Sequence, residues 1–164
     1  MELIQYTHDW IKGELFEAKL ITLFSVTLIV IALLFYFFGN TPNAKAMLFP
    51  LIFVGIIFTS VGVGMLNSNS KRTDAFNLAY QESPKEFASS EKARCEVFMT
   101  WYSTSRWIVS TIGVLGIIIF VFWSTPIGRA IGMSLILITL MAFVVDHFSE
   151  ERANIYYKYI LESM

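Results

Sequence analysis

The residues best suited to chemistry lie just past the last apolar block of the chain. His147 with Glu150 and Glu151 at i+3 and i+4 puts an imidazole and two carboxylates on one helix face, a partial set of metal ligands. Asp146 adjoins them, and His8 and Asp9 fall on the same side of a membrane and would be available to complete the set. The order is the reverse of the Glu-x-x-His of carboxylate metal bundles, and such a group serves equally as a solvated interfacial patch. No metal and no cofactor is therefore expected. The single cysteine, Cys95, excludes an intramolecular disulfide and a thiolate framework by count, so its expected role is that of a small core residue.

A second set of candidates is basic. Lys71, Arg72, Lys92 and Arg94 lie in the central polar segment and could grip an anionic ligand if several copies came together. Asp74, Glu82, Glu86, Glu91 and Glu96 offset them, which makes a solvated helical surface the competing reading. A third set is small or mildly polar. Thr59, Ser60, Gly62 and Asn67 form a stripe that could line a pore, with Pro50 as a kink that could gate it. Gly55, Gly64, Gly113, Gly116, Gly128 and Gly132 read as packing positions, because small residues let helix backbones approach closely in lipid.

The elements that carry these residues follow from hydropathy. Of 164 residues, 55% are hydrophobic and only 15% charged, and the mean hydropathy is +0.60. The apolar residues collect in four blocks, 20–38, 47–66, 107–123 and 127–145, each long enough to cross a hydrocarbon core of about 30 Å. The first nineteen residues hold Glu2, Asp9, Lys12, Glu14, Glu17 and Lys19, so no cleaved signal peptide is expected. No ionisable residue lies in mid-span, where a charge costs at least about 2.5 kcal/mol and is retained for function. That argues against a proton-coupled carrier, a voltage sensor or an intramembrane hydrolase, and no enzymatic activity is expected.

Ten of the twelve Lys and Arg residues, and all thirteen acidic ones, fall on the side that holds both termini. The bias places the N- and C-termini in the cytoplasm of a cell whose inner, or plasma, membrane the chain spans. Thr41-Pro42 and Thr125-Pro126 pair an N-cap with proline at the first helical position, and Ser83-Pro84 repeats the signal with Glu86 as a capping-box partner. Trp10, Trp101, Tyr102 and Trp107 read as an aromatic belt at the inner boundary, with Tyr36 and Trp123 at the outer one. The expected fold is an all-α integral membrane protein of two tandem helical hairpins, 1–82 and 83–164, whose helices extend into a short cytoplasmic bundle. Residues 38–46 align with 122–130 at an offset of 84, and Arg72 and Glu82-Ser83 match Arg152 and Glu162-Ser163 at an offset of 80. A duplicated hairpin explains the match, as does convergence of short turns on a good cap.

In layout the whole chain resembles the small pore-forming membrane effectors of bacterial antiviral systems, such as the two-span domains encoded beside nucleotidyltransferases and the channel protein of the Hailong system. The resemblance implies a homo-oligomer in the lipid bilayer, held closed until a nucleotide or oligonucleotide is bound or released in the cytoplasm, whose opening depolarises the membrane. The alternative is a non-conducting scaffold or assembly subunit whose cytoplasmic helices dock a partner.

Overall fold

The computed structural model of the protein describes residues 2–164. Its elements are α1 (Leu3–Phe38), α2 (Pro42–Ala46), α3 (Leu48–Glu82), α4 (Pro84–Phe122) and α5 (Pro126–Ser163). The four long helices have 36, 35, 39 and 38 residues. At about 1.5 Å per residue each exceeds a hydrocarbon core of about 30 Å by roughly 20 Å or more. All four are long and apolar enough to cross a membrane, which makes the architecture that of an all-α, multi-pass membrane protein. The connections after α1 and α4 follow directly on apolar sequence, so the surplus length gathers at the other end. The molecule thus has an apolar half, closed by the two turns, and a charged half that holds Ser83 and the described ends of the chain.

Local chemistry sets the helix starts. Thr41 Oγ1 accepts from the Ala44 N–H at 3.2 Å, Ser83 Oγ from Glu86 at 3.3 Å and Thr125 Oγ1 from Gly128 at 3.2 Å, each ahead of a proline. The reciprocal half of the expected capping box is not made, because the Ser83 N–H bonds the Ala79 carbonyl at the end of α3 instead. The kink expected from Pro50 lies at Met47, between α2 and α3. Pro50 has no N–H to give the Ala46 carbonyl, so the helix breaks one turn earlier and then runs unbroken to Glu82. It leaves no mid-span hinge.

The principal helix contacts are α1 along α3 and α4 along α5, followed by α1 with α5 and α3 with α4. On α1 the buried residues Ile21, Ser25, Leu28 and Ala32 recur at spacings of three and four, the seam of two helices that cross at a shallow angle. The offset of 84 reappears in part in burial: five of the ten buried residues of α1, Leu3, Thr7, Ile11, Ser25 and Ala32, map onto the buried Phe87, Glu91, Cys95, Val109 and Gly116, whereas Glu17 maps onto the exposed Trp101. Farther along the offset becomes 80, since Thr59 faces Ser25 as Thr139 faces Val109. The extra turn lies between Ala46 and Thr59, the stretch that holds the break at Met47.

Two apolar clusters hold the halves together. In the apolar half Ile21, Leu28, Leu51, Val54 and Phe58 join α1 to α3, with Leu137, Ile138 and Met141 of α5 against them. In the charged half Leu3, Trp10, Ile11, Phe87, Cys95, Tyr156 and Ile160 form a core among α1, α4 and α5. Trp10 therefore belongs to that core and not to an aromatic belt, whereas Trp101 and Trp107 are exposed.

Candidate functional site

The stripe on α3 divides between two faces. Thr59 Oγ1 lies 2.8 Å from Ser25 Oγ, inside the α1–α3 contact. Gly62 is buried against Thr22 and the Ala18 carbonyl, and Gly55 against Ile29, with the Ser25 carbonyl 3.0 Å from where a Cβ would stand. Thr59 and Gly62 thus pack against α1 within the chain. Ser60 and Asn67 are exposed, and Ser60 Oγ is turned back on the Ile56 carbonyl at 2.9 Å. Gly64 also changes role, because nothing lies within 4 Å of the space a Cβ would fill. Ser60, Gly64 and Asn67 stand at i, i+4 and i+7, on one outward face of α3.

The remaining glycines serve the α4–α5 contact or its turn. A Cβ on Gly116 would lie 3.1 Å from the Gly132 carbonyl, and one on Gly132 would lie 2.8 Å from the Gly116 carbonyl. Gly113 faces Thr139, whereas Gly128 packs on Trp123 of its own turn. Ser134 is buried beside an apolar groove between α3 and α5, and its hydroxyl has no partner.

The charged half has a polar centre that sequence spacing did not single out. The Tyr156 hydroxyl donates to Glu91 Oε2 at 2.9 Å and lies 3.0 Å from Thr7 Oγ1. Glu91, only 3% exposed, accepts from Arg94 Nε at 2.8 Å and from Nη2 at 2.6 Å, a bidentate pair. The Arg94 guanidinium lies over Trp10 at 4.6 Å, Phe98 at 5.2 Å and Phe76 at 5.4 Å. Burial works against its charge, but the hydrogen bonds and charge of Glu91 outweigh it and raise its pKa. Burial raises the Tyr156 phenol above its ordinary value, and the Glu91 charge adds to this. A second centre joins α5 to α1: Arg152 pairs with Glu14 at 3.0 Å and with Glu17, and Ser149 donates to Glu17 at 3.1 Å. Gly13 makes room for it, since a Cβ there would stand 2.6 Å from Arg152 Cδ.

Of the four basic candidates, Arg94 is thus committed to Glu91. Lys92 reaches Glu96 at 3.9 Å along its own helix. Arg72 is half-buried and donates to the buried Asn69 at 2.9 Å, and its pKa is lowered by burial and then by nearby Arg94. Lys71 is exposed beside it. Lys71 is thus the one exposed member of the four within a single chain.

The group around His147 comes apart as well. Glu150 accepts from Arg106 at 3.1 Å and Asp146 from Ser105, both on α4, while His147 and Glu151 are exposed. His8 lies 2.7 Å from Asn77 on α3, and Asp9 pairs with Lys12 at 3.2 Å. Among the described residues no three His, Cys, Asp or Glu side chains are grouped as metal ligands would be. Compared with known proteins, the chain matches no family model, no curated relative and no solved structure.

Proposed function

We propose that the protein is an oligomeric membrane pore, gated from its charged half, with the outward face of α3 turned to the axis of a ring of copies. The observation that carries this is the position of Ser60, Gly64 and Asn67, polar or small residues on the exposed face of a helix whose neighbouring positions are Phe53, Ile56 and Val63. The Asn67 amide and the bare backbone of Gly64 are better served by water in a lumen, or by the same face of another copy, than by lipid tails, and Ser60, whose hydroxyl bonds the Ile56 carbonyl, keeps that face small. Within one chain the helices pack closely through Gly55, Gly62, Gly116 and Gly132, so conduction requires several chains.

In this reading α1 with α3 and α4 with α5 are tandem hairpins, and the charged half is a cytoplasmic bundle. Both termini face the cytoplasm of a cell whose plasma membrane is spanned, since ten of the twelve basic residues lie on that side. Lys71, exposed directly below Ser60, Gly64 and Asn67 on α3, is the residue best placed for a nucleotide or oligonucleotide to act on at the mouth of the ring. Release or binding of that ligand opens the pore and depolarises the membrane, as an antiviral effector would. The second reading, a non-conducting scaffold, draws on Val97 and Trp101, one turn apart on α4 in the charged half and 65% and 64% exposed. Purified protein in planar bilayers decides between them. The pore gives a current whose unitary size changes in Ser60→Leu; a bilayer silent with the wild-type protein, with and without nucleotides, leaves the scaffold.

A further inference from the structure

We infer that the protein carries a binding site for an anionic phospholipid at its turn end, with one acyl chain held between the two helix pairs. The site is a cavity of about 330 Å³ to which α1, α2, α4 and α5 all contribute. Phe35, Met47, Phe120 and Met133 make its apolar wall, and Arg129 and Asn43 line it with them. It is complete within one chain.

Charge says which lipid it takes. Arg129 and Lys45 are the only charged residues between the first and last charge-free blocks at this end, and every carboxylate of the chain is in the other half. No side chain can neutralise Arg129, although its place in the first turns of α5, next to apolar sequence, is where lipid phosphates sit. The positive end of the α5 dipole adds to the same attraction. A guanidinium matches a phosphate diester well, and the wall below it requires a tail, so a phospholipid fits where a free phosphate does not. The site rests on the membrane-spanning architecture and is independent of whether the protein conducts.

The test compares phosphatidylglycerol, phosphatidylcholine with the same acyl chains, and inorganic phosphate, each added to the purified protein in neutral detergent and read by native mass spectrometry. Phosphatidylglycerol should bind about fivefold more tightly than phosphatidylcholine, the factor expected when one basic residue meets one extra anionic charge. Inorganic phosphate should not compete. Arg129→Gln should weaken phosphatidylglycerol more than phosphatidylcholine and so remove the preference, Arg129→Lys should keep most of it, and Met133→Trp should weaken both lipids by filling the wall. Equal binding of the two lipids by the wild-type protein overturns the inference without any variant. So does a preference that survives Arg129→Gln, or displacement by inorganic phosphate.

Discussion

On α1, Thr7 and Trp10 face the centre of the charged half; 84 residues later, on α4, Glu91 and Arg94 take the same places. The first helix pair offers a hydroxyl and an indole, and the second offers a carboxylate and a guanidinium. They meet through unlike partners, since Arg94 lies over Trp10, its own counterpart, at 4.6 Å, and both Thr7 and Glu91 bond the Tyr156 hydroxyl. Two copies of the second pair would set arginine against arginine and carboxylate beside carboxylate, and two copies of the first would offer the Tyr156 hydroxyl no carboxylate. The unlike residues at these positions suit the way the pairs dock, a specificity role known for some buried polar groups. The outer flanks differ in the same sense. Arg152 is held by Glu14 and Glu17, whereas Arg72, 80 residues earlier, has Phe98 and Trp101 at the corresponding α4 positions and reaches only Asn69.

The largest break in this asymmetry comes from Glu91→Ala. It strands Arg94 among three aromatic rings and removes the acceptor of Tyr156. Because Arg94 is about a quarter exposed, the loss is expected at about 2–3 kcal/mol, below the full cost of a buried unpaired charge. Replacing both residues by their α1 counterparts, Glu91→Thr with Arg94→Trp, removes the charges together and should cost less than Glu91→Ala alone. Denaturant unfolding of the purified protein measures both. A double variant as unstable as the single one would show that the pairs are not equivalent in register.

A smaller effect separates the glycines by face. Gly132→Leu forces α4 and α5 apart and should cost about 1–3 kcal/mol, whereas Gly64→Leu meets no neighbour and should leave the single chain within about 0.5 kcal/mol. The smallest effect is on pH dependence. Burial pushes the Cys95 thiol from 9.0 up to about 12, and burial with nearby carboxylates raises Tyr102 and Tyr156 above 10.0. The unfolded chain then loses these protons first, so the contribution of the protonated forms is complete below about pH 9 and declines as pH rises toward 12. Thermal unfolding should hold steady between about pH 7 and 8.5 and fall beyond about 9; a midpoint that stays flat to pH 11 would contradict the burial of all three.

The membrane-spanning helices and the starts of α4 and α5 were legible because they rest on local chemistry: four apolar blocks, and Ser83 and Thr125 each ahead of proline, whereas Thr41-Pro42 starts only the short α2 and the break at Met47 was not marked. What the sequence could not reveal is which side of α3 meets α1. Thr59 and Ser60 differ little in polarity and stand about 100° apart, so only the position of Ser25 decides that one is internal and the other outward. Trp10 misled for a related reason, since a tryptophan near charged residues at a membrane boundary has the composition of a belt whether it points outward or inward. Glu91 and Arg94 are visible locally as an i, i+3 pair, but Tyr156, which makes them part of a core, lies 65 residues from Glu91.

The outward face of α3 as the wall of a pore is the central claim, and cysteine accessibility tests it most directly. In a Cys95→Ala background, single cysteines at Ser60 and at Thr59 would be exposed to a charged, water-soluble thiol reagent while current is recorded across a planar bilayer. The account predicts that Ser60→Cys is modified and the current blocked, while Thr59→Cys, shielded against α1, conducts unchanged. Block through position 59 with none through position 60 would contradict it, as would a wild-type protein that passes no current.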